Sequence, residues 1–189
     1  MILTPDNEYC IVADACVLMP MPMCDTLLRL AEEPSFFRIA WSEQILEEVG
    51  RGLAGPQFGY PADKVDRRLR TMREAFPEAM TVVPSSLIEG ISGLPDPGDR
   101  HIVALAIHAH AHTIVTDNLR HFPQATLAPH NLTALCADDF LVHQFHLAPT
   151  GVLEKLDGQA TAIRQRRENV LRFLQPSAPQ FCKLCASLR

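Results

Sequence analysis

The stretch from Leu94 to Pro123, LPDPGDRHIVALAIHAHAHTIVTDNLRHFP, constrains the fold more than any other part of the chain. Asp99 stands at the start of a helix whose apolar positions, Ile102, Val103, Leu105, Ala106 and Ala109, recur at helical spacing. Thr113 to Thr116 is a β-branched run of the kind a buried strand uses. The chain then turns polar at once, with Asp117, Asn118 and Arg120. In an α/β sheet, carboxylates at a helix start and at the C-terminal end of a strand gather on one edge, where ligands bind.

The remainder repeats this alternation. Tyr9 to Ala13, Phe36 to Trp41, Met80 to Val83 and Leu132 to Leu135 read as further strands. Asp25 is placed to cap a helix running to about Glu33, and Ser42 to cap the helix of SEQILEEVGRGL. Ala62 to Phe76, Ser85 to Ile91 and Ala137 to Phe145 read as three more helices. Strands alternating with helices imply parallel pairing through crossovers. Pro149, Thr150 and Gly151 mark a boundary. Beyond it Leu153, Leu156, Ala160, Ile163, Val170 and Leu174 follow a 3–4 spacing. The expected organisation is a main domain over residues 1–148 and a helical C-terminal extension over residues 149–189.

The length of 189 residues and 47% hydrophobic content suffice for one core with a small appendage. No apolar run approaches the ~20 residues of a membrane span. The opening MILTPDNEYC lacks the basic-then-apolar pattern of a signal peptide, so a cytoplasmic protein is expected. Six cysteines do not make a disulfide scaffold at this length, and Cys10, Cys16 and Cys136 are read as core thiols. The net charge of −5 is uneven. From Thr150 onward seven Lys or Arg face three Asp or Glu, which leaves an acidic body with a basic tail. That distribution suits metal in one place and phosphate in another.

Several acids converge on the expected sheet edge. Asp14 ends the first strand, Glu47 and Glu48 lie on the helix after the second, and Asp96 and Asp99 precede the central helix. Gathered carboxylates repel one another strongly without a cation. Hard divalent ions prefer such oxygen ligands, and one held here would favour attack of water on a phosphate. No protein nucleophile is evident.

Four segments in this order resemble the PIN-domain ribonucleases, specifically the VapC-type toxins of bacterial toxin–antitoxin pairs. They are IVADACVL, SEQILEEV, DPGDRHIVALA and IVTDNLRHF, and the resemblance spans roughly residues 9–146. It implies an α/β/α sandwich around a mostly parallel sheet and an endoribonuclease dependent on Mg²⁺ or Mn²⁺. Carried over by position, Asp14, Glu48 and Asp99 are the first three acids. The family's fourth acid follows a Thr-x-Asp pattern, and that register falls here on Asn118, with Asp117 one residue out of step. Because successive strand side chains alternate, Asn118 is expected to face the metal edge and Asp117 to turn aside or support it from behind. Asp117 remains the other candidate for the fourth metal ligand. The resemblance also implies an RNA substrate, a cognate antitoxin protein and a homodimer.

Plainer readings stand beside these. Asp96 in DPGD is read first as a turn residue, and Asp138 and Asp139 as charge at a helix start. His108 and His112 share a face only if the helix runs past Ala111. A zinc site from His143, His146, Cys182 and Cys185 lacks the usual spacing. Arg67, Arg68, Arg70 and Arg73, and Arg164, Arg166, Arg167 and Arg172, read as solvated faces or as grips on an RNA backbone. The rival function is a PIN-fold RNA-binding module with weakened or no catalysis, which Asn118 favours. A phospho-acceptor receiver fails for want of a Lys after a late strand, and an Asp-x-Asp phosphatase fails because Ala15 and Cys16 follow Asp14.

Overall fold

The computed structural model describes residues 9–188. The segment inspected for a leader therefore lies mostly outside the described residues. The elements run β1 (Cys10–Ala13), α1 (Ala15–Leu18), α2 (Met21–Ala31), β2 (Arg38–Ala40), α3 (Glu43–Ala54), α4 (Ala62–Ala75), α5 (Ser85–Gly90), α6 (Arg100–His108), β3 (Thr113–Val115), α7 (Gln124–Leu127), β4 (Thr133–Leu135), α8 (Ala137–Leu147), α9 (Pro149–Ala162), α10 (Arg167–Leu174) and α11 (Pro179–Ser187).

The four strands form a wholly parallel sheet in the order β2-β1-β3-β4. β1 is central and all four of its residues are buried, as a strand covered by helices on both faces requires. Ile11 pairs with Ile39 on one side and Thr113 on the other, and Val12 with Ala40 and Ile114. That register brings Asp14 level with the end of β3, where its amide donates to the Val115 carbonyl at 3.0 Å. The parallel pairing expected from the alternation, and the α/β/α sandwich that the resemblance implies, are therefore present, with the C-terminal strand ends on one edge.

The strand expected at Met80–Val83 shrinks to a single bridge between Met80 and Trp41. β2 offers only three residues to pair with, and the chain leaves the edge at once: Val82 is 84% exposed and Pro84 follows. Asp25 does not cap α2. The helix starts four residues earlier from Pro20, and Asp25 pairs instead with Arg29 at 3.1 Å. Ser42 does cap α3, accepting from the Ile45 amide. α6 stops at His108, and His110 is left-handed (φ 52°), so His108 and His112 lie on no common helix face.

The boundary expected at residue 149 falls on a one-residue turn, Ala148, between α8 and α9. Beyond it the helices fold back onto α2 and α8. Val152, Leu156, Val170, Leu174 and Phe181 join the same buried cluster as the sheet. Thr26 donates to the Gln159 side-chain Oε1 at 2.8 Å, and Gln159 Nε2 donates to the Pro22 carbonyl at 3.1 Å. Ile163, expected in the apolar stripe, is 46% exposed because α9 ends one residue before it. Asp138 does more than charge a helix start. It is buried and accepts from the backbone amides of Phe181 (2.9 Å) and Gln180 (3.1 Å), capping α11 across the fold.

Candidate metal centre

Two expected acids reach the sheet edge with side chains that are not spent on capping. Asp14 precedes α1 and Asp99 precedes α6, yet neither carboxylate accepts a capping hydrogen bond. Asp14 is 6% exposed. Its Oδ2 accepts the Thr116 hydroxyl at 2.6 Å and the Cys16 thiol at 3.2 Å. Burial, reinforced by the Asp14 charge, pushes the Cys16 thiol up to about 12, so it stays protonated and keeps donating at neutral pH. Cys16 packs against the core as expected and also lines the site. Cys136 departs from the core reading, since its sulfur caps α8 by accepting from the Asp139 amide.

Asp99 accepts from, or donates to, His121 Nδ1 at 2.8 Å. Burial raises the Asp99 carboxyl above the usual range. The His121 contact opposes that rise, while the charges of Asp96 and Asp14 add to it. Asp96 makes the expected turn, accepting from the Gly98 amide at 2.8 Å. It also stands beside Asp99. Asp96, Asp99 and His121 each offer a ligand atom within 4.8 Å of the other two, and among the described residues no other trio of His, Cys, Asp or Glu does so.

The remaining expected residues have other partners. Glu48 is half-buried, and its Oε1 lies 3.1 Å from Nε2 of His101, which is 3% exposed. His101 Nδ1 has no hydrogen-bond partner among the described residues, so the ring's polar contact there is Glu48 through Nε2. Glu47 is exposed beside Arg51. Asp117 turns toward α8, where its Oδ1 accepts from the Ala137 amide at 3.3 Å, and its own amide donates to Cys16 Sγ. Asn118 is exposed, and its amide donates to Thr116 Oγ1 at 3.0 Å. Of the α4 arginines, Arg68 is committed to the Leu18 and Met19 carbonyls and Arg73 to Glu43. Cys182 and Cys185 are buried in the tail, apart from any such metal trio.

His121, Cys16 and His101 were not visible as site residues in the sequence. Cys16 and His101 lie two positions after Asp14 and Asp99, a spacing that a search around each acid would catch. His121 arrives through a turn, and no periodicity announces it.

A parallel sheet with Asp14 and Asp99 at its C-terminal edge defines an α/β protein with an acidic ligand edge. A family model described as PIN domain matches residues 10–120, more than half of the chain, and the chain belongs to the PIN domain family. Over 49 residues it is 49% identical to "Putative ribonuclease VapC50" of Mycobacterium tuberculosis (strain ATCC 25618 / H37Rv). That match covers 26% of this chain and 29% of the relative, so the chain matches less than a third of that protein's length. No solved structure matches. Among the described residues no helix is long and apolar enough to cross a membrane.

Proposed function

We propose that this protein is a metal-dependent endoribonuclease that hydrolyses RNA phosphodiester bonds, and that it is the toxin of a type II toxin–antitoxin pair. The observation that carries the reading is that Asp14 and Asp99, neither of which caps its helix and whose charges act on one another, stand at the C-terminal edge of a PIN-family sheet. Supporting it, the relative is named a ribonuclease of VapC type. The donor set fits a divalent cation such as Mg²⁺ or Mn²⁺: Asp96, Asp99 and His121 offer ligand atoms close together, and burial first, then the neighbouring Asp96 and Asp14 charges, disfavour ionisation of Asp99 without a cation. Asp14, Asp96, Asp99 and His121 would hold the ion, with Glu48 and the Asp117–Asn118 segment around it. A bound cation supplies positive charge that activates water and offsets charge on the phosphate. The chain's own part is positional. Thr116 and Cys16 fix Asp14 through its Oδ2, His101 fixes Glu48, and Asp117 ties the end of β3 to α8.

An RNA substrate, an antitoxin that covers this edge, a homodimer and a cytoplasmic location belong to the same reading. The test is cleavage of a mixed RNA pool with Mg²⁺ or Mn²⁺ by the wild type and by Asp14→Asn, beside the thermal shift each ion gives. A ligand that binds only the folded state raises its melting temperature. The expected result is metal-dependent cleavage and a metal-induced shift, both largely lost in Asp14→Asn. RNA binding without cleavage in the wild type would instead establish the binding-module alternative.

A further inference from the structure

The fourth position of the site departs from an all-carboxylate set. The Thr-x-Asp register falls on Asn118, and Asp117 is occupied at α8. What the fold delivers instead is an imidazole. The Thr116 hydroxyl that holds Asp14 also accepts from the Asn118 amide. Asn118 then starts a 3-10 turn over Leu119–His121, and its carbonyl accepts the His121 amide at 2.9 Å. Buried Phe122 anchors the far side of the turn. The backbone therefore reverses within three residues and returns His121 to the carboxylate edge.

We propose that His121 is a nitrogen ligand of this metal centre, and that it makes the centre select Mn²⁺ over Mg²⁺. The inference rests on the nuclease reading above. Geometry supports it. Two adjacent ligands of an ion that binds at about 2.1 Å sit about 3 Å apart, and His121 Nδ1 lies 2.8 Å from Asp99 Oδ2. Both side chains are partly open to solvent, at 24% and 21%, so an ion can reach them. Chemistry supplies the selectivity. Mg²⁺ is a hard ion that favours oxygen, demands near-ideal octahedral geometry and gives up water reluctantly, whereas Mn²⁺, which shares its taste for carboxylate and water, opens the first-row series whose later members take imidazole nitrogen. Replacing one carboxylate by imidazole also removes a negative charge, a loss that weighs on Mg²⁺ without the compensating nitrogen bond.

The experiment compares the full-length wild type with His121→Asp and His121→Asn. Affinities for Mn²⁺ and Mg²⁺ are measured by calorimetry, and pulsed electron paramagnetic resonance of the Mn²⁺-loaded protein detects coupling to a ¹⁴N nucleus. The wild type is expected to bind Mn²⁺ more tightly than Mg²⁺ and to show the nitrogen coupling. In His121→Asp the coupling should vanish and the preference should fall severalfold, with Mg²⁺ binding no weaker than in the wild type. His121→Asn, a smaller neutral polar side chain, should lose the coupling as well. Persistent coupling in both variants, or an unchanged Mn²⁺ to Mg²⁺ ratio, overturns the assignment of His121 while the metal site itself stands. Failure of the wild type to bind either ion overturns the nuclease reading along with it.

Discussion

Replacing Thr116 by Val removes one hydroxyl from the centre of the site and little else. The side chain is fully buried, stays β-branched and keeps nearly its volume. The hydroxyl donates to Asp14 Oδ2 at 2.6 Å and accepts from the Asn118 amide at 3.0 Å. A hydrogen bond to a charged group contributes about 1.5–3 kcal/mol, and a buried charge that loses a donor cannot recover it from water. Asp14 would retain only the Cys16 thiol among its side-chain donors, while exposed Asn118 can turn to solvent. The net cost is therefore about 2–3 kcal/mol at neutral pH. For a chain of this size each kcal/mol moves the melting temperature by about 2–4 °C, so the loss should be roughly 4–12 °C. Circular dichroism melts at pH 7 without divalent ions measure it. Repeating the melts with Mn²⁺ should show a smaller metal-induced gain in the variant, because Asp14 is no longer held in place. A melting temperature within about 1 °C of wild type, with the full Mn²⁺ gain, would show that Thr116 does not anchor Asp14.

Asp99→Asn should stabilise the metal-free protein at pH 7. The folded-state pKa of Asp99 is raised by burial, so its favourable contribution is complete below the ordinary carboxylate range and is lost as pH rises through the folded value. Melts from pH 3 to pH 8 should show the variant's advantage appear as pH increases, and a variant less stable than wild type at pH 7 would refute this. Asp138→Ala should cost about 2–4 kcal/mol, because it strips the acceptor from two backbone amides at the start of α11. Urea denaturation measures that cost, and a change below about 0.5 kcal/mol would mean α11 docks without its cap.

The alternation of strands and helices was legible because burial on both sheet faces writes itself as short apolar runs, and β1, α6 and β3 follow those runs closely. What the pattern could not show was which run finds a partner. Met80 to Val83 has the residues of a strand, but three-residue β2 gives it nothing to pair with beyond Trp41. The tail was legible as helix but not as neighbour. Its docking depends on Gln159 reaching Pro22 and Thr26 and on Asp138 reaching α11, contacts between residues more than forty apart that are polar and carry no periodicity.

The site divides along the same line. Asp14 and Asp99 stand where a strand ends or a helix begins, so secondary structure alone places them. The fourth position was sought by strand alternation, and that rule holds only while the backbone stays extended. β3 ends at Val115, and Thr116 already bends its hydroxyl back to the Asn118 amide. From there the direction of each side chain is set by turn geometry, which sends Asp117 to the start of α8 and returns His121 to Asp99. A hydroxyl residue followed two positions later by a turn is a local cue to such a bend. In this chain the same hydroxyl serves Asp14, so one group both holds the first acid and accepts the amide at the start of the turn that carries His121 to Asp99.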